Sequence, residues 1–149
     1  MKSVPALLLC CLAFTGSLYA QKRPTGLWEG TITNSIHSQN GLRFELLLEF
    51  KGKKVRGKTY IYHKDNTVHT MEVEGTVYED RSISFEEVRS ANGQDQAPPP
   101  FNRKYQLIFT RSIWESTLDG YWQEIITNPF DEKREMGRIV LKKAGNSKA

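Results

Sequence analysis

The side chains best suited to chemistry are His63, His69, Glu87, Arg89, Tyr105, Trp122 and Glu124. His63 and His69, with Glu87 as a third donor, have the ligand types of a transition-metal site. Two imidazoles without a fixed third ligand suit a hydrated polar rim better, so no resident metal is expected. Glu87 and Arg89 stand two residues apart, which on a strand puts them on one face. There they can hold a polar or carboxylate-bearing molecule, the arginine through its two-pronged donor geometry, or pair with each other or with Glu124. Tyr105 and Trp122 can wall an apolar or planar guest, or pack as core with no guest. His63, Glu87 and Tyr105 contain acid and base groups, but any polar cavity mouth supplies such a set. The chain has no Gly-x-Ser-x-Gly, no His-Glu-x-x-His and no phosphate loop. A non-enzymatic role without a cofactor is the expectation.

The first twenty residues bear on where such a protein works. Lys2, an apolar run from Val4 to Phe14, and small and polar residues ending at Ala20 form a signal-peptide pattern. The run is too short, and the following chain too polar, for a membrane span. Residues 1–20 are therefore expected to be a leader and 21–149 one exported domain, periplasmic or extracellular. Both cysteines, Cys10 and Cys11, fall in the leader, so the remaining chain must reach stability through its core and not through a disulfide. Losing Lys2 takes the formal charge from +4 to +3, which is mildly basic. With no basic helix and an export signal, a nucleic-acid partner is not expected.

The element that positions the candidate residues is the stretch 42–63, LRFELLLEFKGKKVRGKTYIYH. Apolar and polar residues alternate on both sides of Gly52-Lys53, the signature of a β-hairpin. Across a two-residue loop Phe50 faces Val55, Leu48 faces Gly57, Leu46 faces Thr59, Phe44 faces Ile61 and Leu42 faces His63. A one-residue slip would turn the apolar set outward, so the pattern fixes the register. After His63, a two-residue Asp65-Asn66 turn would put Thr70, Glu72 and Glu74 on the apolar face, which is costly for carboxylates. A three-residue Asp65-Asn66-Thr67 loop, with Asn66 in the left-handed region, instead sets His63 against His69, Ile61 against Met71, Thr59 against Val73 and Gly57 against Gly75. The next turn sets Val77 against Ile83, Gly75 against Phe85, Val73 against Glu87 and Met71 against Arg89.

A first strand near 26–34, three strands after the long loop 90–103, and the hairpins between them make eight strands without a helical period. The expected fold is an all-β, eight-stranded up-and-down antiparallel β-barrel, in which pairing of the first and last strands removes both edges. Loops 35–41, 64–67, 90–103 and 127–136 then share one end, the mouth, and the tight turns share the other, the floor. Outward positions carry Glu45, Glu49, Arg56, Lys58, Glu72 and Glu74, which does not suit a lipid-facing band, so the barrel is not expected to span a membrane.

Gly26-x-Trp28, Val55-x-Gly57-x-x-Tyr60, Leu118-x-Gly120-x-Trp122 and Gly137-Arg138-Ile139-Val140-Leu141 together resemble the calycin group, the lipocalin-like and avidin-like barrels. The resemblance implies a ligand cavity at the long-loop end. The inward floor list is apolar, whereas the mouth list holds His63, His69, Glu87, Arg89, Tyr105 and Glu124, with Phe44 and Trp122 between the two zones. The expected function is binding of a small, partly apolar molecule at the mouth by these eight residues. The alternative is a filled barrel that acts as an interaction or inhibitor module, with Pro98–Pro100 in the loop 90–103 as the protein-facing stretch. Inward-facing Gly30, Gly57, Gly75 and Gly120 either leave room for a guest or let the barrel bend.

Overall fold

The computed structural model describes residues 23–90, 103–126, 130 and 134–145, with backbone alone at Arg89 and Ser90. The expected leader 1–20 and the Pro98–Pro100 stretch lie outside these residues. Eight strands follow in order: β1 (Gly26–Ile32), β2 (Leu42–Lys51), β3 (Lys54–Tyr62), β4 (Val68–Val77), β5 (Ser82–Ser90), β6 (Arg103–Arg111), β7 (Ser116–Glu124) and β8 (Met136–Lys143). Each pairs antiparallel with its sequence neighbour, and β1 pairs with β8, so the sheet closes. Closure sets Gly30 against Leu141 and Ile32 against Ile139. The fold is an all-β, eight-stranded up-and-down antiparallel barrel.

The β2–β3 hairpin has the register that alternation demands, with Phe50 against Val55, Leu48 against Gly57, Leu46 against Thr59 and Phe44 against Ile61. It stops one pair short of Leu42 and His63, at Arg43 against Tyr62. Gly52 supplies the left-handed turn position, with φ 63°.

Between β3 and β4 the register differs from expectation by two residues. Ile61, not His63, faces His69; Thr59 faces Met71; Gly57 faces Val73; and Val55 faces Gly75. A shift of two keeps every side chain on its expected face, so Met71 and Val73 are still buried. The cause lies in the turn. Asp65 Oδ1 accepts from both the backbone N–H (3.0 Å) and the hydroxyl (2.6 Å) of Thr67. His63 N–H donates to Thr67 O and Asn66 N–H to His63 O, so residues 63–67 are consumed in a wider loop. Asn66 does take the left-handed conformation, with φ 64°.

The same chemistry recurs at Asp80-Arg81-Ser82. Asp80 Oδ1 accepts from Ser82 N–H and Oγ, and Arg81 has φ 70°. From there Val77 faces Ile83, Gly75 faces Phe85 and Val73 faces Glu87, as expected. A β-bulge then intervenes between Glu72 and Val73: Glu72 pairs with Arg89, and Met71 with Ser90. Val88 is the extra residue and is exposed. The bulge takes Arg89 out of the inward register expected opposite Met71.

Rings from facing walls meet across the barrel at two levels. Trp28 of β1 meets Phe109 of β6 edge-on, with ring centroids 5.9 Å apart. One level higher, Phe44 of β2 lies parallel to Tyr105 of β6 at 6.2 Å, and Tyr105 stacks on Phe85 at 4.8 Å. Strands β2 and β6 stand on opposite sides of the closed sheet, so side chains from facing walls touch. At the inward glycines the place of a side chain is taken by the backbone of the neighbouring strand. A Cβ on Gly57 would stand 1.9 Å from Leu47 O, and one on Gly75 2.0 Å from Ser84 O; Gly30 and Gly120 are crossed as closely. Their absent side chains let neighbouring strands approach and coil.

Candidate functional site

At the mouth the inner face changes character within one layer. Glu87 on β5 has a side chain with 0% exposure, yet it is a carboxylate. Three groups surround it. Tyr105 Oη donates to Glu87 Oε1 at 2.6 Å, Arg103 N–H donates to Glu87 Oε2 at 3.1 Å, and the Arg103 guanidinium lies 3.5 Å from Oε1. Burial of the phenol, followed by the nearby Glu87 charge, raises the Tyr105 pKa well above its ordinary value, so Tyr105 stays a donor. Alternation along β6 aims Arg103, Tyr105 and Leu107 at the same side, which is why the arginine enters the interior.

The Arg103 side chain is only 11% exposed and its guanidinium carbon sits 4.9 Å from the Trp122 ring centroid. A flat cation over an indole is a favourable stack. Trp122 is itself fixed by its Nε1–H, which donates to Thr33 O at 2.7 Å, and by Gly137, whose missing Cβ would lie 2.4 Å from that nitrogen. His69, at the start of β4, completes the layer. Its Nε2 is buried and has no hydrogen-bond partner among the described residues. Desolvation lowers the His69 pKa; Glu87 opposes that shift, while Arg103 and His63 add to it. A neutral imidazole nitrogen in this position can accept or donate one hydrogen bond, depending on its tautomer.

The expected site residues thus separate. His69, Glu87, Tyr105 and Trp122 converge with Arg103. Phe44 belongs to the packed level beneath them, fully buried against Tyr105. His63 is exposed in the turn and does not face His69 across the sheet. Glu124 lies at the end of β7, where its Oε2 accepts from Glu135 N–H at 3.2 Å and so holds the base of the β7–β8 connection. Arg89 pairs by backbone with Glu72, and its side chain lies outside the described residues. Arg103 is not among the expected residues, because it closes the long loop 90–103 ahead of the expected sixth strand. Its spacing of two from Tyr105 was the available signal.

No group of three or more His, Cys, Asp or Glu among the described residues is arranged to hold a metal ion. The layer instead offers a hydrogen-bonding imidazole and a buried cation that has its counter-charge and is stacked on an indole. Such a set can orient a small molecule that has a planar or apolar part and a polar or anionic end. The Phe44–Tyr105–Phe85 stack lies just below this layer.

Among the described residues no helix is long and apolar enough to cross a membrane. The closed eight-stranded antiparallel barrel agrees with the calycin-like architecture at that general level. Comparison of the chain with family models, with curated proteins and with solved structures gives no match.

Proposed function

We propose that this chain is an exported, non-enzymatic binding protein that holds a small, partly apolar molecule in a shallow site at the long-loop end of the barrel. The observation that carries the reading is the buried mouth layer, where His69 Nε2 lacks a protein partner among the described residues beside the Glu87–Arg103 pair. Buried polar atoms are rarely left without a partner, and those that are mark places where water or a ligand completes the set. The Arg103 guanidinium suits an anionic or strongly polar end of the guest, and the Trp122 side an apolar or planar part. His69, Glu87, Arg103, Tyr105 and Trp122 are the residues proposed to shape the site; Phe44 supports its floor.

Native mass spectrometry of the chain purified from its own source is the direct test. A retained small molecule, released on denaturation, is the expected result. A bare chain from its native source, with no mass added, would overturn the reading.

The second reading is a filled barrel that works through its outer surface, and the contacts across the barrel favour it specifically. Trp28–Phe109 and Phe44–Tyr105 close two successive levels. On the outside, an open groove of about 680 Å³ runs over β5, β6 and β7, with the exposed side chains of Tyr78, Ile108 and Tyr121 along it. A protein partner at that face, and no small molecule at the mouth, would be the outcome for this reading.

A further inference from the structure

The floor end carries a feature that the mouth site does not use. The β6–β7 connection is a four-residue turn, Ser112-Ile113-Trp114-Glu115, tied shut by three hydrogen bonds. Ser112 N–H donates to Glu115 O (3.0 Å), Ser112 Oγ–H donates to the same oxygen (2.7 Å), and Glu115 N–H donates to Ser112 Oγ (2.9 Å). The two central residues project from this clamp: Ile113 is 94% and Trp114 92% exposed. Two large apolar side chains, adjacent and held outward by a fixed turn, are an unusual use of surface.

Their surroundings are cationic. A depression of about 400 Å³ beside the tip is lined by Arg23, Arg111 and Lys143 together with Trp28, Phe109, Ile113 and Trp114. Glu115 is the one carboxylate lining it, and Lys142 already pairs with that group at 2.9 Å. Round the same end, the β2–β3 turn adds Lys51, Lys53 and Lys54, of which Lys53 pairs with Glu79. The β4–β5 turn brings Glu79, Asp80 and Arg81 to the same end, and among the described residues cations still outnumber carboxylates there.

We propose that the floor end of the barrel is a docking face for an anionic phospholipid surface. Ile113 and Trp114 enter the boundary between headgroups and acyl chains, and Arg23 and Arg111 lie against headgroup phosphates, while Lys143, whose Nζ donates to Thr25 O and lies over the Trp28 ring, adds its charge from behind. Indole is the side chain best suited to that boundary, apolar in its body and polar at its N–H. Lysine and arginine close to an anionic surface each raise affinity roughly fivefold. A second copy of the chain fits less well, because it would bring a like-charged face against this one. The barrel stays outside the bilayer, with its mouth turned away from the surface, so docking leaves the proposed ligand site open and does not depend on it.

Trp114 supplies its own reporter. The chain has three tryptophans, and Trp28 and Trp122 are buried, so the solvent-exposed part of the emission belongs to Trp114. The test is titration of the full exported chain with vesicles of phosphatidylcholine alone and of phosphatidylcholine mixed with phosphatidylglycerol, read by emission shift and by co-sedimentation. The expected result is a blue shift and sedimentation with the anionic vesicles only, weakened by salt. I113S/W114S should lower partitioning at least tenfold, and R111E several-fold, with the folded far-ultraviolet spectrum unchanged. Failure to bind anionic vesicles would overturn the proposal. So would equal, salt-independent binding to both vesicle types, undiminished binding by I113S/W114S, or capture of an acidic protein at this tip in preference to lipid.

Discussion

Replacing Tyr105 by Phe isolates one interaction in the mouth layer. The ring stays in its stack between Phe44 and Phe85, so apolar burial is unchanged. What goes is a 2.6 Å hydrogen bond to a carboxylate whose side chain has no exposure. A hydrogen bond to a charged group contributes about 1.5–3 kcal/mol, and its loss inside a protein is not made good by water. Arg103 remains on the carboxylate through its backbone N–H and guanidinium, which places the expected loss near ~2 kcal/mol. Urea denaturation followed by circular dichroism should show a lower midpoint at unchanged slope, and the melting temperature should fall by roughly 8 °C for a domain of this size. The same substitution in a Glu87→Leu background should cost little, because the acceptor is gone. A Tyr105→Phe protein within about 0.5 kcal/mol of the parent would refute the reasoning, since such small changes are typical of surface sites. It would mean that Glu87 is hydrated and not held by the layer.

Three further outcomes are expected. Arg81→Gly should stabilise the barrel by up to ~1 kcal/mol in the same denaturation assay, because Arg81 holds φ 70° without the freedom of glycine. Gly57→Ala should destabilise by about 3 kcal/mol or more, or prevent folding, since the new methyl would meet Leu47 O at 1.9 Å and that oxygen is backbone. His69 has a folded pKa below the ordinary imidazole value of 6.5, chiefly through desolvation, so the unfolded chain binds the proton more readily. The stability held by neutral His69 is therefore present above pH 6.5 and is lost as pH falls from there towards the lower folded value. Comparing denaturation midpoints of the parent and His69→Gln from about pH 7 down to about pH 5 reads this, and the parent should lose ground on acidification.

The parts of the barrel that alternation governs were legible from the residues themselves. The β2–β3 register follows from Leu42 to Ile61 because a one-residue slip would turn the apolar face outward, and the tight turn at Gly52-Lys53 leaves no room for a slip of two. The faces of β4 were legible for the same reason, but its register was not. A slip of two preserves all faces, so only the turn decides it, and the Asp65–Thr67 bonds make that turn wider than its shortest form. The bulge near Val88 has no signature in the run Glu86-Glu87-Val88-Arg89, where alternation has already broken down. Glu87 illustrates the limit at the site. Its inward direction could be read from Val73 and Phe85, whereas its partner Arg103 comes from beyond the long loop, where pairing is set by barrel closure and not by local pattern.

Buried polar groups at the mouth matter to function only if a guest meets them there. The molecule retained by the native chain, titrated back into stripped protein, can be followed by nuclear magnetic resonance through the His69 ring, the Arg103 guanidinium and the Trp122 indole N–H. Binding at the mouth should shift these three sets of signals and leave Ile108 and Tyr121, on the outer groove, unmoved. Shifts confined to Ile108, Tyr121 and their neighbours, with His69, Arg103 and Trp122 silent, would contradict the account.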